Sequence, residues 1–154
     1  MTETDGRFLV THADEESAVL KDVDSGQVHT LSENPGVEEA DVIDGTVAPE
    51  PPLELTARLV EVDTRRSLSV EHSPEPPTRQ ERNIAAAQPE GELTKQERAG
   101  IGELHVITVP EERTERAVED VLDDEATLVR AARLDVNRVE VRSDAGLVSV
   151  RYLP

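Results

Sequence analysis

Short apolar runs separated by turn residues fill the first half of the chain, and that spacing predicts β structure from residue 6 to residue 72. Phe8-Leu9-Val10 opens the series. Ala18-Val19-Leu20, the turn Asp24-Ser25-Gly26 and the run Gln27-Val28-His29-Thr30-Leu31 then read as a hairpin in which glycine supplies a positive φ. Asn34-Pro35-Gly36 is a further turn, and Asp41 to Ala48 is a strand with Gly45 placed where a barrel strand bends. Leu53, Leu55, Ala57 and Leu59 alternate strictly with polar residues, after which Val60 and Val62 fall on the opposite phase. Such a slip predicts one long strand carrying a bulge, the device that curves a small barrel. Leu68 and Val70 are expected to end the sheet.

The pattern changes after residue 72. Pro49-Glu50-Pro51-Pro52 recurs as Pro74-Glu75-Pro76-Pro77, and proline, which lacks the donor a ladder needs, makes both tetrapeptides edges or linkers. Thr78-Arg79-Gln80-Glu81-Arg82 recurs almost unchanged as Thr94-Lys95-Gln96-Glu97-Arg98. Thr followed three residues later by Glu is a capping box, so both copies are expected to start helices, the first running through Ala85-Ala86-Ala87 and the second ended by Ala99-Gly100. Farther on, Leu104 to Val109 reads as a strand. Pro110 with Glu111 and Glu112 suits a helix start, and Ala117, Val118, Val121 and Leu122 give that helix an apolar stripe which Leu128, Val129 and Ala132 continue after Asp123-Asp124, a pair placed to cap a second helix. A hairpin closes the chain, with Val139 to Arg142 and Leu147 to Leu153 flanking Asp144-Ala145-Gly146.

These elements predict an α+β protein of three parts. Residues 1–73 form a small N-terminal β-barrel, residues 74–100 a Pro-rich and helical connector, and residues 101–154 a β-α-β-β unit too small to be stable alone and therefore expected to dock on the barrel. About five strands with the step Ala40-Asp41 before Val42-Ile43 resemble the OB-fold and related small barrels of nucleic-acid-binding proteins. The resemblance implies base stacking on aromatic rings and a basic groove for phosphates. Here the chain departs from it, since Phe8 is the only aromatic residue of the segment.

Charge sharpens that departure. The chain holds 34 acidic against 16 basic residues, a formal net of -18, and Lys21 and Lys95 are its only lysines. Most of the excess lies early: residues 1–63 carry 16 acidic and 3 basic residues, whereas residues 64–109 carry 7 and 6. In about 1 M salt the Debye length falls to roughly 3 Å, so an acidic surface that repels itself in dilute buffer is screened and stays hydrated. The composition therefore suits a cytoplasmic protein working in concentrated salt, and folding is expected to require salt. Cysteine is absent, which removes disulfides, thiol nucleophiles and thiolate metal sites. The opening Met1-Thr2-Glu3-Thr4-Asp5 has no basic or apolar run of a signal peptide, and no stretch reaches the ~18 apolar residues of a membrane span.

Candidate chemistry is sparse. His12 with Asp14, Glu15 and Glu16 is a candidate hard-cation or zinc site, the basis of an alternative reading as a metal-dependent enzyme; His29, His72 and His105 lie in or at the end of strands and are explained by those positions. Asp22-Val23-Asp24-Ser25-Gly26 starts like a calcium loop but has Gln27 where such a loop needs glycine. Phosphate loops, dinucleotide fingerprints and nucleophile elbows do not occur, and no cofactor is called for. The arginines of the repeated segment are what its capping role does not use, so Arg79, Arg82, Lys95 and Arg98 are a candidate partner or anion contact.

Taken over nearly its full length, the chain resembles a family of small acidic proteins of unknown function encoded by halophilic archaea. Arg7-Phe8-Leu9-Val10-Thr11-His12, Gln27 to Gly36, the Pro-Glu-Pro-Pro segments and the ending Val148-Ser149-Val150-Arg151-Tyr152-Leu153-Pro154 carry the resemblance. It implies habitat and domain extent and supplies no catalytic residue. The reading that remains is a non-catalytic binding or adaptor module with a protein partner; an OB-like protein binding RNA or single-stranded DNA is the alternative, disfavoured because counterion release is nearly exhausted in high salt. No feature specifies an oligomeric state.

Overall fold

The computed structural model describes residues 3–98 and 100–154, and by compactness these divide into two units. Unit 1 comprises the chain up to Leu68 together with Leu128–Arg133; unit 2 comprises Ser69–Thr127 and Leu134–Pro154. The expected helix end at Ala99, like the opening Met1-Thr2, falls outside the described residues.

Unit 1 is a closed barrel of five strands: Thr4–Ala13 (β1), Ala18–Asp22 (β2), Val28–Leu31 (β3), Asp41–Pro49 (β4) and Ala57–Ser67 (β5), in the order β1-β2-β3-β5-β4, with β4 returning to β1. The predicted hairpin joins β2 and β3. Asp22 builds its turn, its Oδ1 accepting the N–H groups of Asp24 at 2.9 Å and Ser25 at 3.1 Å, while Gly26 takes φ 80°. The predicted bulge is real and double. The β4–β5 register steps between Asp44 and Gly45 and again between Thr46 and Val47, skipping Asp63 and Val60 on β5. Gly45 sits at the first step because the strands approach so closely that a Cβ there would lie 2.2 Å from the Glu61 carbonyl oxygen. Ala40 precedes β4 at φ 70°, a left-handed conformation that glycine adopts more cheaply.

Aliphatics and one ring fill the barrel: Phe8, Val10, Leu20, Leu31, Ile43 and Val47 are all essentially inaccessible. Buried carboxylate chemistry ties the strands at one end, where Asp41, 1% exposed, meets the Arg65 Nη2 at 2.8 Å and accepts the Ser67 hydroxyl at 2.7 Å. Arg7 bonds Asp44 at 3.0 Å, and Arg7 and Arg66 each donate to the Ala132 carbonyl at 3.1 Å, near the end of the helix Glu125–Arg133.

Two expectations fail in this half. The long strand does not begin at Leu53: β5 starts at Ala57, and Leu53 and Leu55 lie in a turn, 73% and 79% exposed. Alternation alone misled, because Glu50 closes the turn locally, its N–H donating to the Thr56 carbonyl at 2.9 Å and its carbonyl accepting the Glu54 N–H at 2.9 Å. Val70 does not end the first sheet but starts a second.

Unit 2 is a sheet of five strands: Ser69–His72 (β6), Leu93–Glu97 (β7), Glu103–Thr108 (β8), Arg138–Asp144 (β9) and Leu147–Leu153 (β10), in the order β6-β9-β10-β8-β7. Among the described residues of this sheet only β6 and β9 pair in parallel. Helix α1, Arg79–Ala86, lays Ala85 and Ile84 on Val106, Leu104 and Leu147. Helix α2, Thr114–Asp123, packs on β6, β9 and β10 after a single 3-10 turn, and Asp124 then starts helix α3, Glu125–Arg133, by accepting the Ala126 N–H at 2.9 Å. The closing hairpin is as predicted. Among the described residues no helix is long and apolar enough to cross a membrane.

Candidate functional site

The repeated Thr-x-x-Glu segments take different structures. At Thr78 the capping box forms: the Thr78 Oγ accepts the Glu81 N–H at 3.2 Å and Glu81 Oε1 accepts the Thr78 N–H at 2.8 Å. The second copy is not a helix. Thr94 to Glu97 belong to strand β7, registered residue by residue against β8. A β-strand alternates its faces, so Gln96 turns to α1, where it accepts a bond from Gln80 Nε2 at 2.8 Å, and Lys95 turns to the other side.

The predicted basic patch is accordingly dispersed. Arg79 and Arg82 are exposed on α1, and Arg82 is engaged by Asp144 at 2.9 Å. Arg98 follows β7 and lines a cleft of about 290 Å3 with Gln80, Glu81, Gln96, Glu97 and Arg151. Two arginines face two carboxylates there, so the cleft offers an anion no excess charge. Glu81 is its buried floor, 1% exposed; its Oε2 accepts the hydroxyl of the fully buried Ser149 and lies 4.0 Å from Arg151 Nε. Arg151 in turn meets Glu140 at 3.0 Å, and Arg142 bridges Glu140 at 2.5 Å and Glu75 at 2.7 Å. Burial alone would raise the Glu140 carboxyl, but bonds and charge from Arg142 and Arg151 outweigh it and hold the group below the usual carboxylate range. This network is structural wiring.

His12 has no site around it. Its ring is more than half exposed, 3.5 Å from Asp14 and 3.8 Å from Glu39, and among the described residues no three potential ligands converge to hold a metal.

The barrel offers a better-built feature. β3 pairs with β2 along its whole length, but with β5 it is registered only where Leu31 meets Ala57, followed by a Ser32 N–H to Ala57 carbonyl bond of 3.4 Å. The strands diverge from there. A groove of about 300 Å3 opens between Val28, His29 and Thr30 on one side and Glu54, Leu55 and Thr56 on the other. Glu50 fixes the second wall: it accepts the Thr56 hydroxyl at 2.9 Å, and bonds from the Ser32 and Thr56 hydroxyls hold its carboxyl below the usual range, so the rim stays anionic. Val28 and Leu55 of its lining are exposed, 56% and 79%, as is Leu53 next in the chain to Glu54, at 73%.

His29 closes the groove from within. Its ring packs edge-on against Phe8, centroids 5.6 Å apart, and its Nε2 is shielded from solvent with no hydrogen-bond partner among the described residues. An unmet buried polar atom costs about 1–3 kcal/mol. Burial pulls the imidazole below its usual pKa, with Asp22 opposing, so the ring is neutral at pH 7. Of these groove residues, sequence reasoning treated Leu53 and Leu55 as strand and His29 as an ordinary strand histidine. The signal available was the Pro-Glu-Pro-Pro tetrapeptide just before Leu53, which argues for a turn continuing into it.

No curated protein and no solved structure matches the chain. The family of unknown function DUF5812 matches residues 4–143, nearly the whole chain, and the protein belongs to that family.

Proposed function

We propose that the protein is a non-catalytic binding module built on an OB-type barrel, contacting a partner protein through the groove between β3 and the β4–β5 turn, in the salt-rich cytoplasm of a haloarchaeal cell. The observation that carries this is the exposure of Leu53 and Leu55 beside that groove, 73% and 79%, the highest of any large aliphatic among the described residues. The strand order β1-β2-β3-β5-β4 supports the OB-type assignment, since such barrels present ligands to the β2–β3 surface and the loops around it. Nucleic acid fits that surface poorly. Unit 1 holds 16 acidic and 7 basic residues, its only aromatic side chain besides histidine is the buried Phe8, and stacking and phosphate contacts are what single strands require. The arginine-bearing stretch from Arg79 to Arg98 supports a contact less well, because Arg82 is held by Asp144 and Lys95 faces away from Gln96 and α1.

The test is affinity capture in molar KCl from a salt-adapted lysate, with the native chain and a Leu53→Ser, Leu55→Ser double variant side by side. A protein retained by the native chain and lost with the variant supports the reading; retention of the same proteins by both overturns it. Circular dichroism across a KCl series tests the habitat, as a cooperative fold undiminished in low-salt buffer contradicts it.

A further inference from the structure

We infer that the groove takes an extended, basic segment of the partner as an added strand along β3, an inference that rests on the binding-module reading and names what would bind. Ser32 sends its N–H toward β5, and backbone direction alternates along a strand, so the N–H groups of Thr30 and Val28 point to the same side. On that side the β5 register has already ended: among the described residues Val28, His29 and Thr30 are registered with β2 alone. The chain that would have filled the space is engaged elsewhere, because Glu54 and Thr56 close their own turn with Glu50.

An open edge of this kind is a template for another strand, and proteins that avoid such pairing place proline, lysine or a bulge there. β3, Val28-His29-Thr30-Leu31, has none of these. Main-chain bonds to Val28 and Thr30 would supply affinity, and alternate side chains of the guest would supply specificity. Outward-facing guest residues would meet Val28 and Leu55, which favours aliphatics. The neighbouring positions would meet Glu54 and the ionised Glu50; Arg58, whose charge reaches Glu50, offsets one of these carboxylates, and with no lysine or arginine among the groove-lining residues the remaining negative charge favours lysine or arginine. Charge also discriminates between occupants. A second copy of the chain brings a net of -18, and a nucleic acid brings phosphates, both of the wrong sign.

The test is amide hydrogen exchange on the full chain in molar KCl with three probes: a short peptide alternating lysine and valine, the same peptide N-methylated at every amide, and oligothymidylate. At peptide concentrations near ten times Kd, exchange at Val28 and Thr30 is expected to slow about tenfold as their N–H groups donate to guest carbonyls, and the methylated peptide, whose methyl groups hold both strand edges off β3, is expected to give no such protection. Binding of the unmethylated peptide without protection at Val28 and Thr30, or equal protection by the methylated one, overturns strand addition while leaving the binding module standing. Protection by oligothymidylate in place of the peptide, or a dimer in sedimentation whose β3 amides are already protected, overturns the basic polypeptide as occupant. Absence of binding by every probe overturns the inference, and the capture experiment with the Leu53 and Leu55 variant then decides the broader reading separately.

Discussion

Replacing Glu81 by alanine removes the residue on which unit 2 concentrates its polar connections. Glu81 accepts the Thr78 N–H at 2.8 Å, accepts the Ser149 hydroxyl, and stands 4.0 Å from Arg151 while only 1% exposed. Loss of the reciprocal cap costs about 1 kcal/mol. Ser149 has no accessible surface, so its stranded hydroxyl adds about 1–3 kcal/mol. Arg151 keeps Glu140 and contributes little further. The expected total is about 3 kcal/mol. Glu81→Gln preserves the shape and one acceptor for Thr78 and should cost about 1 kcal/mol. Urea is the suitable denaturant, because guanidinium is itself a salt and would screen the acidic surface; with an m-value of about 2 kcal/mol/M the alanine variant should lose about 1.5 M in midpoint. An alanine variant within about 0.5 kcal/mol of the native chain, or a glutamine variant as damaged as alanine, would refute the hydrogen-bonding account.

Two glycine-related exchanges should act with opposite sign. Gly45→Ala drives a Cβ to 2.2 Å from the Glu61 carbonyl oxygen and should cost about 3 kcal/mol, whereas Ala40→Gly relieves a left-handed alanine at φ 70° and should gain about 0.5–1 kcal/mol; thermal unfolding of both variants checks the pair. For His29 the folded pKa is depressed below the ordinary 6.5 by burial, so the unfolded chain takes up a proton first. The associated stability is complete above about pH 6.5 and is lost as the pH falls through that value toward the folded pKa. His29→Leu should therefore lose less stability than the native chain between about pH 7.5 and 5.5, and parallel urea midpoints at the two pH values would contradict it.

Legibility in the sequence followed how local the governing physics was. The turn at Asp22–Gly26, the cap at Thr78, the helix start at Asp124 and the closing hairpin all depend on bonds spanning two or three residues, and each was readable. The bulge was readable because a change of phase leaves a trace even when its cause, close packing of β4 on β5, is remote. Thr94-Lys95-Gln96-Glu97 was misread because the same letters that cap a helix at Thr78 are recruited as an edge strand by β8, a partner the local pattern does not announce. The groove was largely invisible. It is made by two strands parting after one register pair and by an aliphatic pair that mimics strand alternation while lying in a turn.

The Ala132 carbonyl that receives both Arg7 and Arg66 has a consequence for synthesis. Arg7 leaves the ribosome 125 residues ahead of its acceptor, an interval of about 6–25 s at ordinary elongation rates. The five strands of the barrel are all translated before the backbone group that these two guanidiniums grip, so the nascent barrel waits with that contact unmade. Its last tertiary bonds are made only when the polypeptide is almost finished, and a chain released early, before α3 emerges, would hold every strand of the barrel yet lack that fastening.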